Sequence, residues 1–345
     1  MLHEFKQIIQ VYTEAKSKGL KSVLATVVDL DGSSYRKPGV RMLISENGTM
    51  TGAVSGGCVE KEIIRQSKTV FQKGTPKIIT YDGRYRLGCD GILYILIEPF
   101  ELSEEFVENY QTYIDKREIF EIISCYRKEL TEDEKLGSYL KFTDKKVLSF
   151  RNNFNPKQIP KPDYKLFNNK LKPLFRLIII GGEHDTVQLC NLAAYLGWEV
   201  AIYLSPSDPK TANDFPTADK VVHSTPEALE IKNMDDHTAV VIMTHNYAKD
   251  LKYVLSLTKC NMLYIGLLGN TKRRDKLLNE VIEKVPEIKE AFLNKIYAPA
   301  GLNLGAETPQ EIAVSICSEI LSVLRKQIPK SLKDKQEPIH FNLVL

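Results

Sequence analysis

The chain has 345 residues, of which 43% are hydrophobic and 26% are charged, a composition typical of a soluble protein with about two domains. Its formal net charge of +3 gives no strong field that would favour nucleic acid or an anionic membrane. No apolar run approaches the roughly 18 residues of a transmembrane helix, and the first twenty residues resemble an amphipathic helix rather than a signal peptide, so we expect a cytoplasmic protein.

The first half of the chain alternates short strand and turn patterns. After the initial helix, residues 21–30 form a β-branched run that predicts a strand. Residues 40–45 and 49–54 predict two more strands, and Asn47-Gly48 between them is a strong hairpin signal. Residues 77–81 and the continuous apolar run 92–97 predict two further strands.

Two cysteines lie in glycine-rich turns of this half. Gly56 and Gly57 lead directly to Cys58, where a helical pattern begins that extends to about residue 73. A thiol in the first helical turn lies near unpaired backbone N–H groups, which can lower its pKa. The alternative is that Cys58 packs as a small apolar residue beneath the helix, and the residues leave both interpretations open. The second cysteine, Cys89, is also flanked by glycines, so both turns could contribute to one pocket.

Basic side chains in the same loops could hold an oxyanion. Arg36 and Arg41 are the candidates that we select, because the arginine guanidinium offers a bidentate fork to phosphate. The six cysteines are scattered without a CxxC pair or Cys/His cluster, which argues against a disulfide scaffold or a structural metal site. Cys125, Cys190 and Cys317 lie in apolar patterns and are expected in cores.

Composition changes sharply between the two halves. Residues 152–173 contain four prolines and many Asn and Lys residues, which predicts a linker. We therefore expect an N-terminal α+β domain at 1–151 and a C-terminal domain at 174–328, followed by a polar tail at 329–345. In the C-terminal domain strands and helices alternate, which predicts a Rossmann-like, doubly wound parallel sheet with ligands near the carboxyl ends of its strands.

The expected dinucleotide fingerprint is incomplete in this domain. Gly181 and Gly182 follow the first strand, but Glu183 stands where a second close-approach glycine would admit a pyrophosphate, and His184 follows it. The acid expected at the end of the second strand is missing, and Asp208 comes a little late for that role. These residues disfavour NAD(P) binding.

Other loops at the predicted carboxyl edge carry polar residues or glycine. His245 follows one strand and Gly269 follows another, ahead of Lys272, Arg273 and Arg274. A single histidine is more often a structural hydrogen-bonding group. Several such loops at one sheet edge nevertheless favour a binding cleft there.

Taken together, the motifs resemble the xanthine dehydrogenase accessory factor family (XdhC/CoxI). They span both halves in order and include GSSYRKPGVRMLI (32–44), GAVSGGCVE (52–60), GCDG (88–91), YIGLLGNTKRR (264–274) and PAGLNLGAETPQEIAVSI (299–316). The resemblance implies a homodimeric accessory protein, more a chaperone than a catalyst, that carries the molybdenum cofactor (molybdopterin) as cargo. It also implies help with sulfuration of that cofactor and its insertion into a molybdenum hydroxylase such as xanthine dehydrogenase, with a cysteine desulfurase as a further partner.

Carried over by position, Cys58 and Cys89 become candidates for cofactor contact or sulfur handling, and His184 and His245 become cleft residues. Glu183 replaces the usual glycine of the family and Asn303 replaces its usual aspartate. Two competing functions remain open: an NAD(P)-dependent oxidoreductase that uses the Rossmann domain, and a redox-sensing regulator that uses Cys58.

Overall fold

The computed structural model describes residues 2–32, 37–55, 57–83, 91–159, 162–229 and 234–334, and of Cys58 it describes the backbone only. The chain divides into two compact units, Met1–Pro173 and Leu174–Leu345. The mixed α/β class and the Rossmann-like sheet predicted for the second half are confirmed.

The first unit contains a six-stranded antiparallel sheet with helices. Its elements are α1 (Leu2–Ser17), β1 (Ser22–Asp31), β2 (Arg41–Ser45), β3 (Met50–Gly52), α2 (Cys58–Lys73), β4 (Lys77–Asp82), β5 (Ile92–Pro99) and, after a further helix and strand, β7 (Thr131–Glu132). The strand order is β3-β2-β1-β5-β4-β7. One face of the sheet packs against α2, because alternate residues of β1 and β5 and the apolar stripe of α2 meet there. The helix pattern that begins at Cys58 is thus placed directly on the sheet.

A second, four-stranded antiparallel sheet follows α3 (Glu104–Asp115). It comprises β6 (Phe120–Tyr126), β8 (Gly137–Lys141), β9 (Val147–Ser149) and β10 (Lys165–Leu171), in the order β10-β6-β8-β9. The segment 152–173, which we predicted as a linker, therefore contains an edge strand, and the two compact units divide only after Pro173. Its amide- and lysine-rich composition misled the sequence interpretation, because an edge strand needs apolar residues on one face only.

The second unit is built on a six-stranded parallel sheet. Its strands are β11 (Arg176–Ile180), β12 (Glu199–Leu204), β13 (Lys220–His223), β14 (Thr238–Ile242), β15 (Tyr264–Leu267) and β16 (Ile296–Tyr297). Their order, β13-β12-β11-β14-β15-β16, is the 3-2-1-4-5-6 order of dinucleotide-binding folds. The helices of this unit are α4 (His184–Tyr195), α5 (Tyr247–Leu257), α6 (Thr271–Lys284), α7 (Glu290–Leu293) and α8 (Pro309–Arg325).

Helices cover both faces of this sheet, which is why its central strands are apolar throughout. Residues of α4 and α8 pack on one face, and residues of α5, α6 and α7 pack on the other. Cys190 and Cys317 are buried in the first of these layers and Cys125 is buried in the first unit, as predicted. Within the described residues, no helix combines the length and apolar character needed to cross a membrane.

Glu98 is a fully buried carboxyl group in the first unit, and its burial should make the stability of that unit depend on pH. It accepts hydrogen bonds from the backbone N (2.9 Å) and the Oγ (2.6 Å) of Ser138. Burial raises its pKa to about 7, although Ser138 and the charges of Arg151 and Arg41 act in the opposite direction. A carboxyl group whose pKa is raised by folding binds more protons in the native state, so its contribution to stability falls as the pH rises from about 4.5 to 7.

In the unaltered protein this effect should lower the free energy of unfolding by up to about 1.4 kcal/mol per pH unit over that window. We expect Glu98→Gln to abolish this dependence on pH. Urea denaturation at several pH values, followed by far-UV circular dichroism, measures this slope. Fluorescence of Trp198, the single tryptophan, reports the second unit separately. Glu101→Gln is the exposed control. An unchanged pH slope in the Glu98 variant would contradict the assignment.

Candidate functional site

The carboxyl edge of the parallel sheet brings two of the predicted loops into contact. The strand order reverses between β11 and β14, and a crevice opens at such a switch point in doubly wound sheets. Gly181 follows β11 with φ of 135°, and a Cβ there would lie 2.5 Å from the carbonyl oxygen of Met243. Glycine is thus required at 181 both by its backbone conformation and by the close approach of the β14 loop.

Gly182 lies against Asp208, the acid that comes a little late in the chain for a ribose-binding role. A Cβ at this position would lie 2.6 Å from Asp208 Oδ2. The turn after β12 folds back, with the Asp208 N–H donating to the Ser205 carbonyl at 2.9 Å, and this return brings the carboxylate to the glycine turn. In dinucleotide folds an acid beside this turn receives ribose hydroxyls, and Asp208 lies near the turn although it comes later in the chain than the strand end.

Glu183 and His184 begin helix α4. Glu183 is the N-cap residue, its side chain makes no capping hydrogen bond, and both side chains are exposed. An N-cap position lies beside unpaired backbone N–H groups, where a bound phosphate would also lie. The carboxylate of Glu183 therefore adds negative charge close to the position that a pyrophosphate would need.

His245 is exposed and adopts a left-handed conformation with φ of 53°, which is rare outside glycine. Its neighbour Thr244 donates through Oγ1 to Asp250 Oδ1 at 2.5 Å and accepts a hydrogen bond from the Asn246 N–H at 3.2 Å. These contacts fix the turn on both sides of the histidine. Backbone conformations of this kind persist only where surrounding contacts hold them, and they concentrate at functional sites.

Asp250 is the centre of this loop cluster and is only 2% exposed. Its Oδ2 accepts a hydrogen bond from Arg273 Nη2 at 2.5 Å, so a buried charge is paired. Burial raises the pKa of Asp250, while the hydrogen bonds from Thr244 and Arg273 oppose that rise. Sequence interpretation did not select Asp250 or Arg273 as site residues. The spacing of Thr244 and Asp250 across a strand end and the first helical turn is the signal that could have found them.

Gly269 serves the same cluster from the next loop. It has φ of 129°, and a Cβ there would lie 2.7 Å from Arg273 Cδ, so glycine leaves room for the arginine stem. The guanidinium lies 5.7 Å from the ring centroid of Tyr247, and Asn270 caps α6 by accepting from the Arg273 N–H at 2.9 Å. His245 and Gly269 thus belong to one network, which fixes the orientation of the partly exposed Arg273 side chain.

The turn before Cys58 is organised by Glu60. Its Oε1 accepts from the N–H groups of Val54 (3.1 Å) and Ser55 (2.6 Å), and its Oε2 accepts from the Gly57 N–H (2.8 Å) and Ser55 Oγ (2.7 Å). Because Val54 and Ser55 turn toward this carboxylate, β3 ends at Gly52, earlier than the predicted strand 49–54. Burial raises the pKa of Glu60, but the hydrogen bonds from Ser55 and Gly57 outweigh this and lower it overall.

Gly57 and Cys58 occupy the predicted strand-to-helix turn. Gly57 is the N-cap residue of α2 with φ of 120°, and Cys58 is the first helical residue. The side chain of Cys58 lies outside the described atoms, and Gly56, Cys89 and Arg36 lie outside the described residues.

Arg41 is buried in the first unit and is 6% exposed. Its Nη1 donates to the Gly39 carbonyl (2.8 Å) and to Asn169 Oδ1 (3.0 Å). Burial lowers the pKa of Arg41 to about 10, although the charges of Glu98 and Glu4 oppose this. Its Nε and Nη2 are buried without a hydrogen-bond partner among the residues that the structure describes.

The Asp250–Arg273 pair should stabilise the second unit. We expect Arg273→Met to lower the free energy of unfolding of the second unit by about 3 kcal/mol, because it leaves a buried carboxylate unpaired. The double variant with Asp250→Asn should recover part of this loss. Urea denaturation followed by Trp198 fluorescence measures both. Arg274→Met, which breaks the exposed pair with Asp275 and one long hydrogen bond (3.4 Å) to the Ala298 carbonyl, is the matched control with an expected loss below about 0.5 kcal/mol. Equal losses in the two single variants would refute the role of Asp250.

The charge of Glu183 should oppose the binding of NAD and NADP. We expect NAD and NADP to bind weakly or not at all, and Glu183→Gly to improve binding by about tenfold, the effect of removing roughly 1.4 kcal/mol of charge repulsion. Isothermal titration calorimetry of both proteins measures this change. Tight, stoichiometric binding of NAD by the unaltered protein would show that Glu183 is no obstacle.

Comparison with known proteins agrees with the fold and the motifs. The family model for the XdhC Rossmann domain matches residues 177–320, and the model for the XdhC and CoxI family matches residues 15–82. A Bacillus halodurans protein whose crystal structure is described as a xanthine dehydrogenase has the same fold, with a TM-score of 0.75 at 24% identity over 95% of this chain and 98% of that one.

Two curated relatives also align along most of their length. A Bacillus subtilis protein named as a probable xanthine dehydrogenase subunit is 31% identical over 324 residues, covering 89% of this chain and 94% of the relative. The molybdenum cofactor insertion chaperone PaoD from Escherichia coli is 22% identical over 325 residues, covering 93% and 89%. The chain belongs to the XdhC and CoxI family.

Proposed function

We propose that this protein is an accessory factor that binds the molybdenum cofactor and delivers it to a molybdenum hydroxylase such as xanthine dehydrogenase. Its membership of the XdhC and CoxI family supports a role in the maturation of such enzymes, and the name of PaoD gives cofactor insertion as the task of one relative. In this proposal the protein acts as a chaperone rather than as a catalyst of substrate oxidation.

The observation that carries the proposal is the preorganised turn in front of Cys58. Gly57 places Cys58 at the start of α2, and the carboxylate of Glu60 holds the preceding residues with four hydrogen bonds, three from backbone N–H groups and one from the Ser55 hydroxyl. A fixed turn loses little conformational entropy when a ligand binds, which favours affinity. A thiol at such a turn is suited to contact with a sulfur-rich cofactor.

The donor set of the first unit fits the cofactor in part. The thiol and the glycine turn suit the sulfur-bearing end of molybdopterin, and sulfuration would use Cys58 together with Cys89. Arg41 has two buried nitrogen atoms, Nε and Nη2, without a partner among the described residues, which suits an acceptor such as a phosphate or a pterin oxygen. The N–H groups of Val54, Ser55 and Gly57 donate to Glu60, so these three groups do not bind a phosphate in this conformation.

The remaining elements of the proposal follow from the family resemblance. Arg36 would join Arg41 at the cofactor, while Gly181, Gly182, His184, His245 and Gly269 would line the crevice of the Rossmann unit. A cysteine desulfurase would supply the sulfur, and the protein would act as a homodimer in the cytoplasm.

A second candidate is an NAD(P)-dependent oxidoreductase. The approach of Asp208 to Gly182 favours it, because the carboxylate lies where an adenine-side ribose would be held. The charge of Glu183 at the N-cap of α4 opposes it, which leaves cofactor insertion as the preferred function.

The test is reconstitution of an apo molybdenum hydroxylase with released cofactor, in the presence and absence of this protein. We expect the protein to raise the active fraction, and Cys58→Ser to weaken that effect about tenfold, which corresponds to roughly 1.4 kcal/mol of lost interaction. Cofactor that co-elutes with the protein on gel filtration provides the binding readout.

Cys190→Ser is the matched control for loss of a thiol. Cys190 is fully buried beside Thr217, with Sγ and Oγ1 3.4 Å apart, so its replacement should lower stability while activation persists below the unfolding temperature. If the unaltered protein neither retains cofactor nor raises the active fraction, the proposed function is wrong.

A further inference from the structure

The second sheet of the first unit has one face that other elements cover only in part. Successive residues of a strand lie on opposite faces of a sheet. Ser124 and Ser138 lie on the inner face, where Ser138 Oγ donates to the buried carboxylate of Glu98 at 2.6 Å. The opposite, outer face carries residues 121, 123 and 125 of β6 and the residues paired beside them. An apolar cluster covers one end of the outer face: Ile123, Cys125, Tyr139, Phe154, Ile159 and Tyr164.

Outside this cluster the outer face exposes large apolar side chains. Leu166 on β10 is 50% exposed, and Val147 on β9 is 42% exposed. A groove of about 570 Å³ is lined by Leu166 together with Tyr139, Pro156 and Ile159. An exposed leucine in the wall of an apolar groove offers a binding site to an apolar side chain of another protein.

A second groove, at the end of the outer face that carries Glu121, is basic. Its volume is about 400 Å³, and its described lining residues include Lys141, Lys145 and Lys170. Glu121 is the one acid among them, and its Oε2 lies 3.6 Å from Lys141 Nζ. One carboxylate cannot neutralise three ammonium groups, so this groove keeps a net positive charge.

Positive charge is concentrated in the segment that forms this sheet. Residues 137–172 contain nine lysine and arginine residues and two acids, whereas the net charge of the whole chain is only +3. Lysines on an edge strand can serve to prevent association of sheets, which accounts for Lys165 and Lys170 on β10. Lys141 lies on β8, inside the sheet, and Lys145 lies in the turn that follows it, so protection of the edge does not explain them.

We propose that the outer face of the second sheet docks an acidic segment of the partner enzyme. Carboxylates of that segment pair with Lys141, Lys145 and Lys170, and one of its apolar side chains packs into the groove beside Leu166. The inference rests on the proposed function and adds the surface by which the client is recognised. Opposite charges across such a surface speed association and help to select the partner.

Two other occupants match this face less well. A nucleic acid would use the lysines through its phosphates but would gain nothing from the exposed Leu166 and Val147. A second copy that presented the same face would bring like charges together, which opposes association. An acidic polypeptide with apolar residues is complementary to both grooves.

The first test uses the full-length protein and a fluorescently labelled peptide that alternates Glu and Leu. Fluorescence anisotropy measures its dissociation constant, and added salt should weaken binding because the ion pairs are exposed. The triple variant Lys141→Gln, Lys145→Gln and Lys170→Gln should bind the peptide about tenfold more weakly, since each exposed ion pair contributes a small, similar amount. Leu166→Ser should weaken binding several-fold and leave its salt dependence unchanged.

A matched control removes the same number of charges elsewhere in the first unit. Lys6→Gln, Lys18→Gln and Lys21→Gln, three exposed positions, should together change the dissociation constant by less than about twofold. Far-UV circular dichroism checks that all variants are folded. Equal weakening in the two triple variants would overturn the inference, as would binding of an oligodeoxythymidine as tight as that of the peptide.

Binding of the apo molybdenum hydroxylase, measured by biolayer interferometry, connects this face to the proposed function. The Lys141, Lys145 and Lys170 variant should bind the apo-enzyme about tenfold more weakly and should retain cofactor on gel filtration as well as the unaltered protein does. Equal binding of the apo-enzyme by both proteins would overturn the inference and leave the function intact. A dimer that dissociates in this variant, detected by sedimentation velocity, would also overturn it by assigning the face to self-association. If the unaltered protein neither retains cofactor nor raises the active fraction, the function fails, and the peptide measurement still decides whether the face binds an acidic segment.

Discussion

The pairing of Asp250 with Thr244 and Arg273 is the interaction on which the carboxyl edge of the Rossmann sheet depends. A carboxylate that is 2% exposed must be matched by strong donors, and the two donors come from the loops after β14 and β15. Because both loops share one carboxylate, neither can move without breaking a charged hydrogen bond. The left-handed backbone at His245 and the glycine at 269 are consequences of this shared anchor.

Carboxylates anchor other connections of this protein in the same manner. Glu319 on α8 accepts from the Tyr264 hydroxyl at 2.5 Å and from the Gly301 N–H at 2.8 Å, and thereby ties the loop after β16 to a buried strand. Glu60 does so for the turn before α2. A buried or half-buried carboxylate whose oxygens all accept hydrogen bonds can specify a single loop conformation. Apolar contacts alone specify a loop conformation less precisely, because they are not directional.

The sequence predicted the fold well because its signals are local. The alternation of strand and helix patterns in the second half identified the parallel sheet. The contacts of the candidate site were harder to predict, because Asp250 and Arg273 are 23 residues apart. Asp208 depends on a turn that folds back after β12, and Glu60 belongs to a capping box that lacks its usual Ser or Thr. Strand β10 was missed because Asn169 points inward to a buried arginine, where an apolar residue is normally expected.

The contact between Asn169 and Arg41 limits where the chain can be truncated. The carboxamide on β10 accepts a hydrogen bond from a buried guanidinium on β2, and β10 also pairs with β6 along one edge of the second sheet. A fragment that stops at residue 151 would leave that cation short of an acceptor and expose a bare strand edge, which is a template for aggregation. The smallest N-terminal piece that keeps its own interior intact therefore extends to Pro173, where the first compact unit ends.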